Sequence, residues 1–287
     1  MKILTLNTHS LIEEDYEQKL EGFVDFLIRE RPDAVALQEV NQPCCAPEAK
    51  DMALDGMISA EGAEAPLRQG NHAARVALML HKAGIACRWT WLPVKLGYGM
   101  YDEGLAVLAL SGEIAEPRAI PLSSTQDFAD WKRRMALSVR LTGRGERLFC
   151  VHMGWWSDES EPFRDQWEKL TDAVRREGGS GSVWLAGDFN NPAELRGEGY
   201  DLMIGSGWHD AYQMAENRHG NATVPGGIDG WRRRTDAECG LRMDYILCSG
   251  RRSVRSCAVV LDGRRGMKVS DHFGVMIETG ENDHNRE

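Results

Sequence analysis

The sequence lacks the features that would place it in or across a membrane. It has no apolar run of about 18 residues, the length that a membrane-spanning helix needs. Residues 1–7 are apolar over too few positions to form the core of a secretion signal, and they look like a first strand. These two absences predict a cytoplasmic protein that does not act at a membrane.

Two further absences concern cysteine pairing and positive charge. The seven cysteines are an odd number and include no C-x-x-C pair, so neither a disulfide framework nor a cysteine-ligated zinc site is indicated. The 44 acidic residues outnumber the 34 Lys and Arg residues, and the formal net charge is −10. This balance disfavours a long basic groove for a nucleic-acid backbone, although it leaves nucleic acid as an alternative partner.

The remaining composition is that of an ordinary globular protein, with 42% hydrophobic and 27% charged residues. A chain of 287 residues can bury a sizeable core without metal or disulfide staples. No change in composition marks a domain boundary. We therefore expect one domain over residues 1–280 and a polar C-terminal tail over residues 281–287.

Hydrophobic periodicity predicts an α/β fold. Residues 2–7, 16–31 and 34–37 have the patterns of a strand, an amphipathic helix and a strand buried on both faces. A helix and a short buried strand recur at 162–177 and 183–186, and both of these short strands run into an acidic residue. Carboxylates at strand ends in two facing sheets would meet at one rim, so we expect a two-sheet sandwich with outer helices.

Other segments complete this prediction. Residues 41–70 have an irregular, loop-like pattern, and residues 75–83 and 200–205 have the pattern of short helices. The remaining strand-like runs are residues 87–94, 105–110, 114–120, 136–141, 147–152, 243–248, 256–261 and 275–278.

Eight polar residues stand at the ends of apolar runs or close to them. They are Asn7, Glu39, His152, Asp188, Asn190, Asp244, Asp271 and His272. Burying a carboxylate is costly unless a cation or hydrogen-bond donors meet it. A set rich in oxygen donors and without cysteine suits Mg²⁺ or Mn²⁺. Each residue taken singly also has a structural explanation, such as a turn residue for Asn7 or a satisfied core histidine for His152.

The order of these residues resembles a known superfamily. The matching segments are Thr5-Leu6-Asn7, Leu37-Gln38-Glu39, Val151-His152, Gly187-Asp188-Phe189-Asn190, Met243-Asp244-Tyr245 and Ser270-Asp271-His272. From residue 2 to about residue 278 the chain resembles the endonuclease/exonuclease/phosphatase superfamily. The resemblance implies a DNase I-like, four-layer α/β/β/α sandwich, in which helices flank two facing mixed β-sheets. It also implies Mg²⁺-dependent hydrolysis of a phosphoester.

The same resemblance implies a metal site. By position, Glu39 corresponds to the main metal ligand, and Asn7 and Asp271 complete or orient the site. The expected cofactor is Mg²⁺, with Mn²⁺ as the alternative.

Five further residues have catalytic roles by resemblance. Asp188 and Asn190 hold the attacking water and a phosphate oxygen. His272 is the general base or a donor to the transition state, and Asp244 orients it. His152 donates to the phosphoryl group or to the leaving oxygen. A histidine beside a carboxylate has a fixed tautomer and a raised pKa, which suits either role near neutral pH.

Aromatic residues near these motifs point to the kind of phosphoester. Trp155 and Trp156 follow His152 closely, and Asp229 and Trp231 lie in a glycine-rich segment. Flat apolar rings can stack on sugars or bases, although packing in the core is the alternative for any tryptophan. These segments resemble a bacterial subgroup that includes maltose-6′-phosphate phosphatase, which implies a phosphorylated sugar as substrate.

Two other segments supply candidate substrate contacts. Arg133 or Arg134 could reach the substrate phosphate, with an ordinary surface charge as the alternative. Residues 97–104 contain three glycines and have the composition of a mobile loop, with Tyr101 and Glu103 as lesser candidates.

Three classes of function therefore compete. The sequence favours a phosphomonoesterase acting on a small phosphorylated sugar over a nuclease of the same fold, because one cationic pocket suffices for a monoester. A binding module that has lost catalysis is disfavoured, since none of the expected metal or histidine positions is missing.

Overall fold

The computed structural model describes residues 1–50, 54–143, 145–177, 181–225 and 240–280. Within these residues the chain forms two mixed β-sheets of seven and six strands. The tail at 281–287 lies outside the described residues, and the single domain over residues 1–280 stays a prediction.

The seven-stranded sheet has strands from both halves of the described chain. In spatial order it contains β10 (Ala215–His219), β12 (Val254–Val260), β13 (Gly274–Thr279), β1 (Lys2–Asn7), β2 (Ala34–Pro43), β4 (Tyr101–Ala109) and β3 (Arg88–Gly97). The six-stranded sheet contains β5 (Ile114–Pro121), β6 (Met135–Leu141), β7 (Glu146–His152), β8 (Val183–Asp188), β11 (Asp244–Cys248) and β9 (His209–Asp210).

Helices flank the two sheets in the described part of the chain. They are α1 (Tyr16–Glu30), α2 (His72–Lys82), α3 (Phe163–Glu177), α4 (Gly199–Gly205) and the single turn α5 (Ala211–Met214), together with a short 3₁₀ helix at Ser10–Ile12. Helix α1 shows how the sequence produces this layer. Its buried residues recur at helical spacing, from Leu20 and Phe23 to Leu27, so that one apolar face packs on a sheet.

Three apolar clusters separate the layers and confirm the expected four-layer sandwich. One cluster lies between the sheets and includes Ala34, Ala36 and Trp184. A second joins the seven-stranded sheet to α1 and α2, and a third joins the six-stranded sheet to α3 and α4. Residues of β2 alternate between the first two clusters, because both faces of this strand are buried as its continuous apolar run predicts.

Strand pairing places the ends of several strands together. Strands β1 and β2 are parallel, with Asn7 opposite Gln38, and β7 and β8 are parallel, with His152 opposite Asp188. Strand β11 runs antiparallel to β8 and places Asp244 opposite Asp188. One rim of the sandwich therefore carries most of the polar residues that the sequence analysis selected.

The structure corrects several predicted boundaries. Strand β2 continues to Pro43, through residues that were predicted as the start of an irregular loop, after a register shift between Leu37 and Val40. The predicted loop at 97–104 is instead a tight β-hairpin, in which only Tyr98, Gly99 and Met100 separate β3 from β4. The short elements β9, α5 and β10 were not predicted, because two to five residues carry too little periodicity.

Candidate active site

A cavity of about 550 Å³ opens at the rim where these strand ends meet. It is lined by His9, Glu39, Lys95, Leu96, Gly97, Tyr98, Glu103, Trp131, Arg134, His152, Trp155, Asp188, Asn190, Asp271 and His272. Nine described non-glycine residues have positive φ angles, and four of these nine, His9, Glu39, Tyr98 and Asn190, line this cavity. Unfavourable backbone conformations concentrated in this way are typical of functional sites.

Glu39 reaches the cavity because β2 contains a bulge. The register with β4 shifts between Leu37 and Val40, and Glu39 itself has a φ of 50°. A bulge bends its strand and re-aims a side chain. Burial of Glu39, together with the neighbouring carboxylates of Glu103 and Asp271, raises the pKa of this carboxyl above its ordinary value.

Asn7 joins the two sheets across the base of the cavity. Its amide nitrogen donates to Glu39 Oε1 at 2.9 Å and to Asp188 Oδ2 at 3.2 Å, and its amide oxygen accepts the backbone N–H of His9. The residue therefore holds one carboxylate from each sheet in a fixed relation. Its geometry is that of an orienting residue.

His272 and Asp244 form a buried pair. The imidazole Nδ1 lies 3.0 Å from Asp244 Oδ2 and 3.2 Å from Asp244 Oδ1, while Nε2 lies 3.8 Å from Asp188 Oδ2. Burial opposes the charged imidazole, but the two carboxylates outweigh it and raise the pKa of His272 to about 10. His272 is therefore protonated at neutral pH.

Asp188 lies between the two histidines of the cavity. Its Oδ1 accepts the backbone N–H of Asn190 at 2.8 Å. Burial, followed by the charge of Asp244, raises the pKa of Asp188 to about 7. A carboxylate with such a pKa can accept a proton near neutral pH. We refer to the lining residues Glu39, Asp188, Asp271 and His272, together with their hydrogen-bond partners Asn7 and Asp244, as the carboxylate side of the cavity.

The opposite wall carries positive charge. Lys95 Nζ lies 3.2 Å from Glu103 Oε1 and donates to the carbonyl oxygen of Trp131. Arg134 donates through NH1 to the carbonyl oxygens of Trp131 and Arg133, and its buried Nε has no hydrogen-bond partner among the described residues. This guanidinium therefore has donor capacity that a bound anion could use.

His152 belongs to this wall although it also approaches Asp188. Its Nε2 lies 3.6 Å from Asp188 Oδ2. Burial and the charges of Arg134 and Lys95 lower the pKa of His152 well below its ordinary value. The imidazole is therefore neutral at neutral pH, and we refer to Lys95, Arg134 and His152 as the cationic side.

Aromatic rings form the outer edge of the cavity. Trp155 packs against Trp131 with ring centroids 5.6 Å apart, and Trp131 is 52% exposed. Tyr98, at the tip of the β3–β4 hairpin, is 61% exposed, and its hydroxyl lies 3.4 Å from His9 Nε2. These rings can contact a bound substrate beyond the charged floor of the cavity.

Two expected substrate contacts are not brought to the cavity. Arg133 is 1% exposed, and its guanidinium pairs with the carboxylate of Glu64 and donates to the carbonyl oxygen of Val94. Trp156 packs against Phe163 of α3 and does not line the cavity. Their immediate neighbours Arg134 and Trp155, which were also predicted as substrate contacts, do line the cavity.

Asp229 and Trp231 lie outside the described residues. Of the two lesser candidates in the hairpin, Glu103 lines the cavity and Tyr101 does not.

The sequence analysis did not select Lys95, His9, Tyr98 or Trp131 individually. Lys95 had a usable signal, because it is a charged residue next to the apolar run that became β3. His9 follows Asn7 by two positions, but a lone histidine after a strand has no pattern that separates it from a loop residue. Only the tertiary structure brings these four residues to one cavity.

The carboxylate side fits a divalent cation by its donor chemistry. Glu39 and Asp271 both line the cavity and offer oxygen ligands, which hard cations such as Mg²⁺ prefer. Burial, and then repulsion from Glu103 and Asp271, raise the pKa of Glu39, and a bound cation would neutralise this concentration of negative charge. Asp188, Asp244 and His272 also have ligand atoms within 4.8 Å of one another. In that group, however, His272 and Asp244 are already hydrogen-bonded to each other, which makes them less suited to bind a metal.

Comparison with known proteins identifies the family. Residues 4–272 match the model of the endonuclease/exonuclease/phosphatase family. The chain therefore belongs to this family and is a metal-dependent phosphoester hydrolase. No curated protein matches its sequence.

Solved structures of similar fold confirm the DNase I-like architecture. A family protein from Leptotrichia buccalis C-1013-b is 26% identical with a TM-score of 0.83, over 98% of this chain and 100% of that one. A mannosyl-6-phosphatase from Bacteroides thetaiotaomicron VPI-5482 is 17% identical with a TM-score of 0.66, over 98% and 100%. D. rerio TDP2, complexed with a single strand DNA product, is 17% identical with a TM-score of 0.61, over 98% and 99%.

The described residues also include several helices whose length and hydropathy bear on membrane crossing. None of them is both long and apolar enough to cross a bilayer.

Proposed function

We propose that the protein is a Mg²⁺-dependent phosphomonoesterase whose substrate is a phosphorylated sugar, with maltose 6′-phosphate as the best single candidate. The observation that carries this proposal is the cationic side of the cavity. Arg134 and Lys95 both donate to the carbonyl oxygen of Trp131, and they line the same cavity as His152 and Asp188. A terminal phosphate carries up to two negative charges at one position, and this arrangement matches it.

The shape of the site supports a small substrate. The cavity has about the volume of ordinary small-molecule sites and lies in a protein with a net charge of −10. A polynucleotide would need cations spread along several phosphates. Trp155, Trp131 and Tyr98 at the outer edge offer flat faces to the sugar rings that follow the phosphate.

The residues divide the chemistry between them. Arg134 and Lys95 bind the phosphate oxygens, and neutral His152 donates a hydrogen bond to the phosphoryl group or to the leaving oxygen. Asp188, with its pKa near neutrality, takes the proton from the attacking water. Protonated His272, held by Asp244, donates to the charge that develops on the phosphoryl oxygens.

Glu39 and Asp271 would hold the divalent cation, with Asn7 fixing the orientation of Glu39. The cation would supply charge neutralisation at the non-bridging phosphate oxygens. Mg²⁺ fits this donor set, and Mn²⁺ is the alternative.

A nuclease is the second candidate, because the same aromatic rings could stack on bases. The deciding experiment compares kcat/KM with Mg²⁺ for maltose 6′-phosphate, glucose 6-phosphate, mannose 6-phosphate, and short single- and double-stranded DNA. We expect hydrolysis of a sugar phosphate and little DNA cleavage. Efficient DNA cleavage without sugar-phosphate turnover would establish the nuclease instead.

Two neighbouring tryptophans provide a matched test of the aromatic edge. Trp155→Ala should raise KM for the disaccharide phosphate by about 2- to 10-fold, the scale of one aromatic contact, and spare a small generic phosphate ester. Trp156→Ala should lower thermal stability and leave KM near the wild-type value, since this ring packs on Phe163. Equal effects of the two substitutions on KM would contradict the proposed contact between Trp155 and the sugar.

A further inference from the structure

The backbone at Glu39 needs an explanation because its conformation is unfavourable. Glu39 has a φ of 50°, and a non-glycine residue in this left-handed region persists only where its surroundings hold it. The bulge also removes Glu39 from the regular pairing of β2 with β4. Its backbone groups must therefore find partners elsewhere.

Two hydroxyl groups supply partners for its carbonyl oxygen. Ser10 Oγ donates to the carbonyl oxygen of Glu39 at 2.8 Å, and Thr8 Oγ1 lies 3.1 Å from the same oxygen. Thr8 Oγ1 also lies 2.8 Å from the carbonyl oxygen of Gln38, and Ser10 Oγ accepts the backbone N–H of Asn41. The peptide groups on both sides of Glu39 are thus attached to the segment that follows β1.

The other edge of the bulge is fixed as well. The indole Nε1 of Trp91 donates to the carbonyl oxygen of Val40 at 3.0 Å. Gly104 lies opposite Val40 in β4, and a Cβ atom at Gly104 would lie 2.6 Å from Trp91 Nε1. The bulge is therefore held from two sides, and only the side formed by Thr8 and Ser10 touches the peptide of Glu39 itself.

Thr8 and Ser10 do not contact the cavity. Their exposed fractions are 3% and 2%, and neither residue lines the cavity. They can influence the site only through the backbone. The φ and ψ angles of a residue set the direction in which its Cα–Cβ bond leaves the backbone. Fixing the peptide at Glu39 therefore fixes the point from which its carboxylate reaches the cavity, and Asn7 then holds the carboxylate itself.

We propose that Thr8 and Ser10 are positioning residues, whose hydroxyl groups hold Glu39 in its left-handed conformation and thereby aim its carboxylate at the divalent cation. This inference rests on the proposed function, in which Glu39 binds the metal. Loss of partners that orient a metal ligand typically weakens metal binding by about 10- to 100-fold.

The test measures Mn²⁺ binding to the full chain after removal of metal with EDTA, using electron paramagnetic resonance of the free ion. Thr8→Val and Ser10→Ala, made separately, should each weaken Mn²⁺ binding by about tenfold. Thr8→Ser, which keeps the hydroxyl, should bind as the wild type does. At saturating Mg²⁺, KM for the sugar phosphate should stay unchanged in all three.

Thr5→Val is the matched control. Thr5 lies on β1, just before the segment that holds Thr8 and Ser10, and is fully buried. Its hydroxyl donates to a β2 carbonyl, that of Ala36, at 3.1 Å, and also contacts the side-chain amide of Gln38, but it touches no backbone atom of Gln38 or Glu39. This variant loses a comparable hydrogen bond without touching the Glu39 peptide. It should therefore lose thermal stability and keep its affinity for Mn²⁺.

A Glu39→Gln variant separates failure of this inference from failure of the proposed metal site. Wild-type Mn²⁺ affinity in folded Thr8→Val and Ser10→Ala, with weakened binding in Glu39→Gln, would overturn the positioning role alone. Wild-type affinity in Glu39→Gln would overturn both. Equally weakened Mn²⁺ binding in Thr5→Val would show that any loss of a hydrogen bond in this sheet has the same effect, and it would also overturn the inference. Circular dichroism establishes folding, and the separate substitutions keep the test valid if one of them does not fold.

Discussion

His152 and His272 approach the same carboxylate oxygen, yet His152 is neutral and His272 is protonated. Their Nε2 atoms lie 3.6 and 3.8 Å from Asp188 Oδ2. His152 shares its wall with Arg134 and Lys95, which lower its pKa in addition to burial, whereas the Asp244 carboxylate holds the pKa of His272 high. The partners of a buried histidine, and not burial alone, decide which protonation state it adopts.

The same contrast separates the two sides of the cavity. The carboxylate side repels negative charge unless a cation is bound, and the cationic side attracts it. A phosphate ester placed between them contacts the metal on one side and Arg134 and Lys95 on the other. The following predictions test this division.

Removing the metal should have the largest effect, because the carboxylate side would then repel the phosphate. Excess EDTA should abolish hydrolysis, and Mg²⁺ or Mn²⁺ should restore it. Glu39→Gln should raise the Mg²⁺ concentration that gives half-maximal activity, since a neutral amide is a poorer ligand for a hard cation. Full activity in excess EDTA would show that the carboxylate side does not need a metal ion and would contradict the assignment of the two sides.

The next effect concerns the pair of groups that handle protons. His272→Ala and Asp188→Ala should each lower kcat by about 10²-fold or more, the usual scale for loss of acid–base help. Asp188 is the last residue of β8 and His272 lies just before β13, so neither substitution interrupts a strand, and the variants should fold, as thermal melting would verify. Near-normal turnover by either variant would contradict its assigned role.

A smaller effect is expected on the cationic side. Arg134→Met keeps the apolar stem but removes charge-assisted hydrogen bonds worth about 1.5–3 kcal/mol, so kcat/KM should fall by about 10- to 100-fold. Arg133→Met is the matched control, because Arg133 pairs with Glu64 away from the cavity. It should lower stability and leave kcat/KM close to the wild-type value. Equal losses of kcat/KM in the two variants would contradict the role of Arg134 in binding the substrate phosphate.

The last prediction concerns a histidine outside the cavity, at which burial is the largest cause of the pKa shift. His72 is buried in contact with Phe23, and burial, with a contribution from Arg75, lowers its pKa to about 3. The unfolded chain therefore binds more protons than the native one between about pH 3 and pH 6.5, and stability falls as the pH drops through this range. From pH 7 to pH 5 this residue should cost about 2 kcal/mol of the free energy of unfolding.

Urea unfolding of the wild type and of His72→Phe at both pH values measures this difference. The variant loses the contact with the Tyr16 hydroxyl, so the pH-dependent change, and not the absolute stability, is the quantity to compare. We expect the wild type to lose more stability than the variant on acidification. Identical losses would show that His72 is not the neutral buried group described here.

The helices and strands were largely predictable because each has a strong local pattern. Helix α1 and strands β1, β7 and β8 follow from runs of apolar residues with clear spacing. The bulge in β2 was not predictable, because it depends on hydrogen bonds from Thr8, Ser10 and Trp91, which only the fold brings close. The hairpin at residues 97–104 was missed for a similar reason. Its glycines suit a loop, and its pairing as β3 with β4 is a long-range property.

By itself the sequence predicted a two-sheet sandwich with outer helices, because periodicity is a local property. The order of its motifs resembles that of the superfamily, and this resemblance implied the four-layer arrangement and the set of carboxylates, amides and histidines at the rim. The tertiary structure alone decided that Arg134 and Trp155 face the cavity while their neighbours Arg133 and Trp156 turn away, since packing on opposite sides of one segment separates adjacent residues. It also decided the charge states of His152 and His272. A pKa depends on burial and on charges that strand pairing brings together from distant parts of the chain.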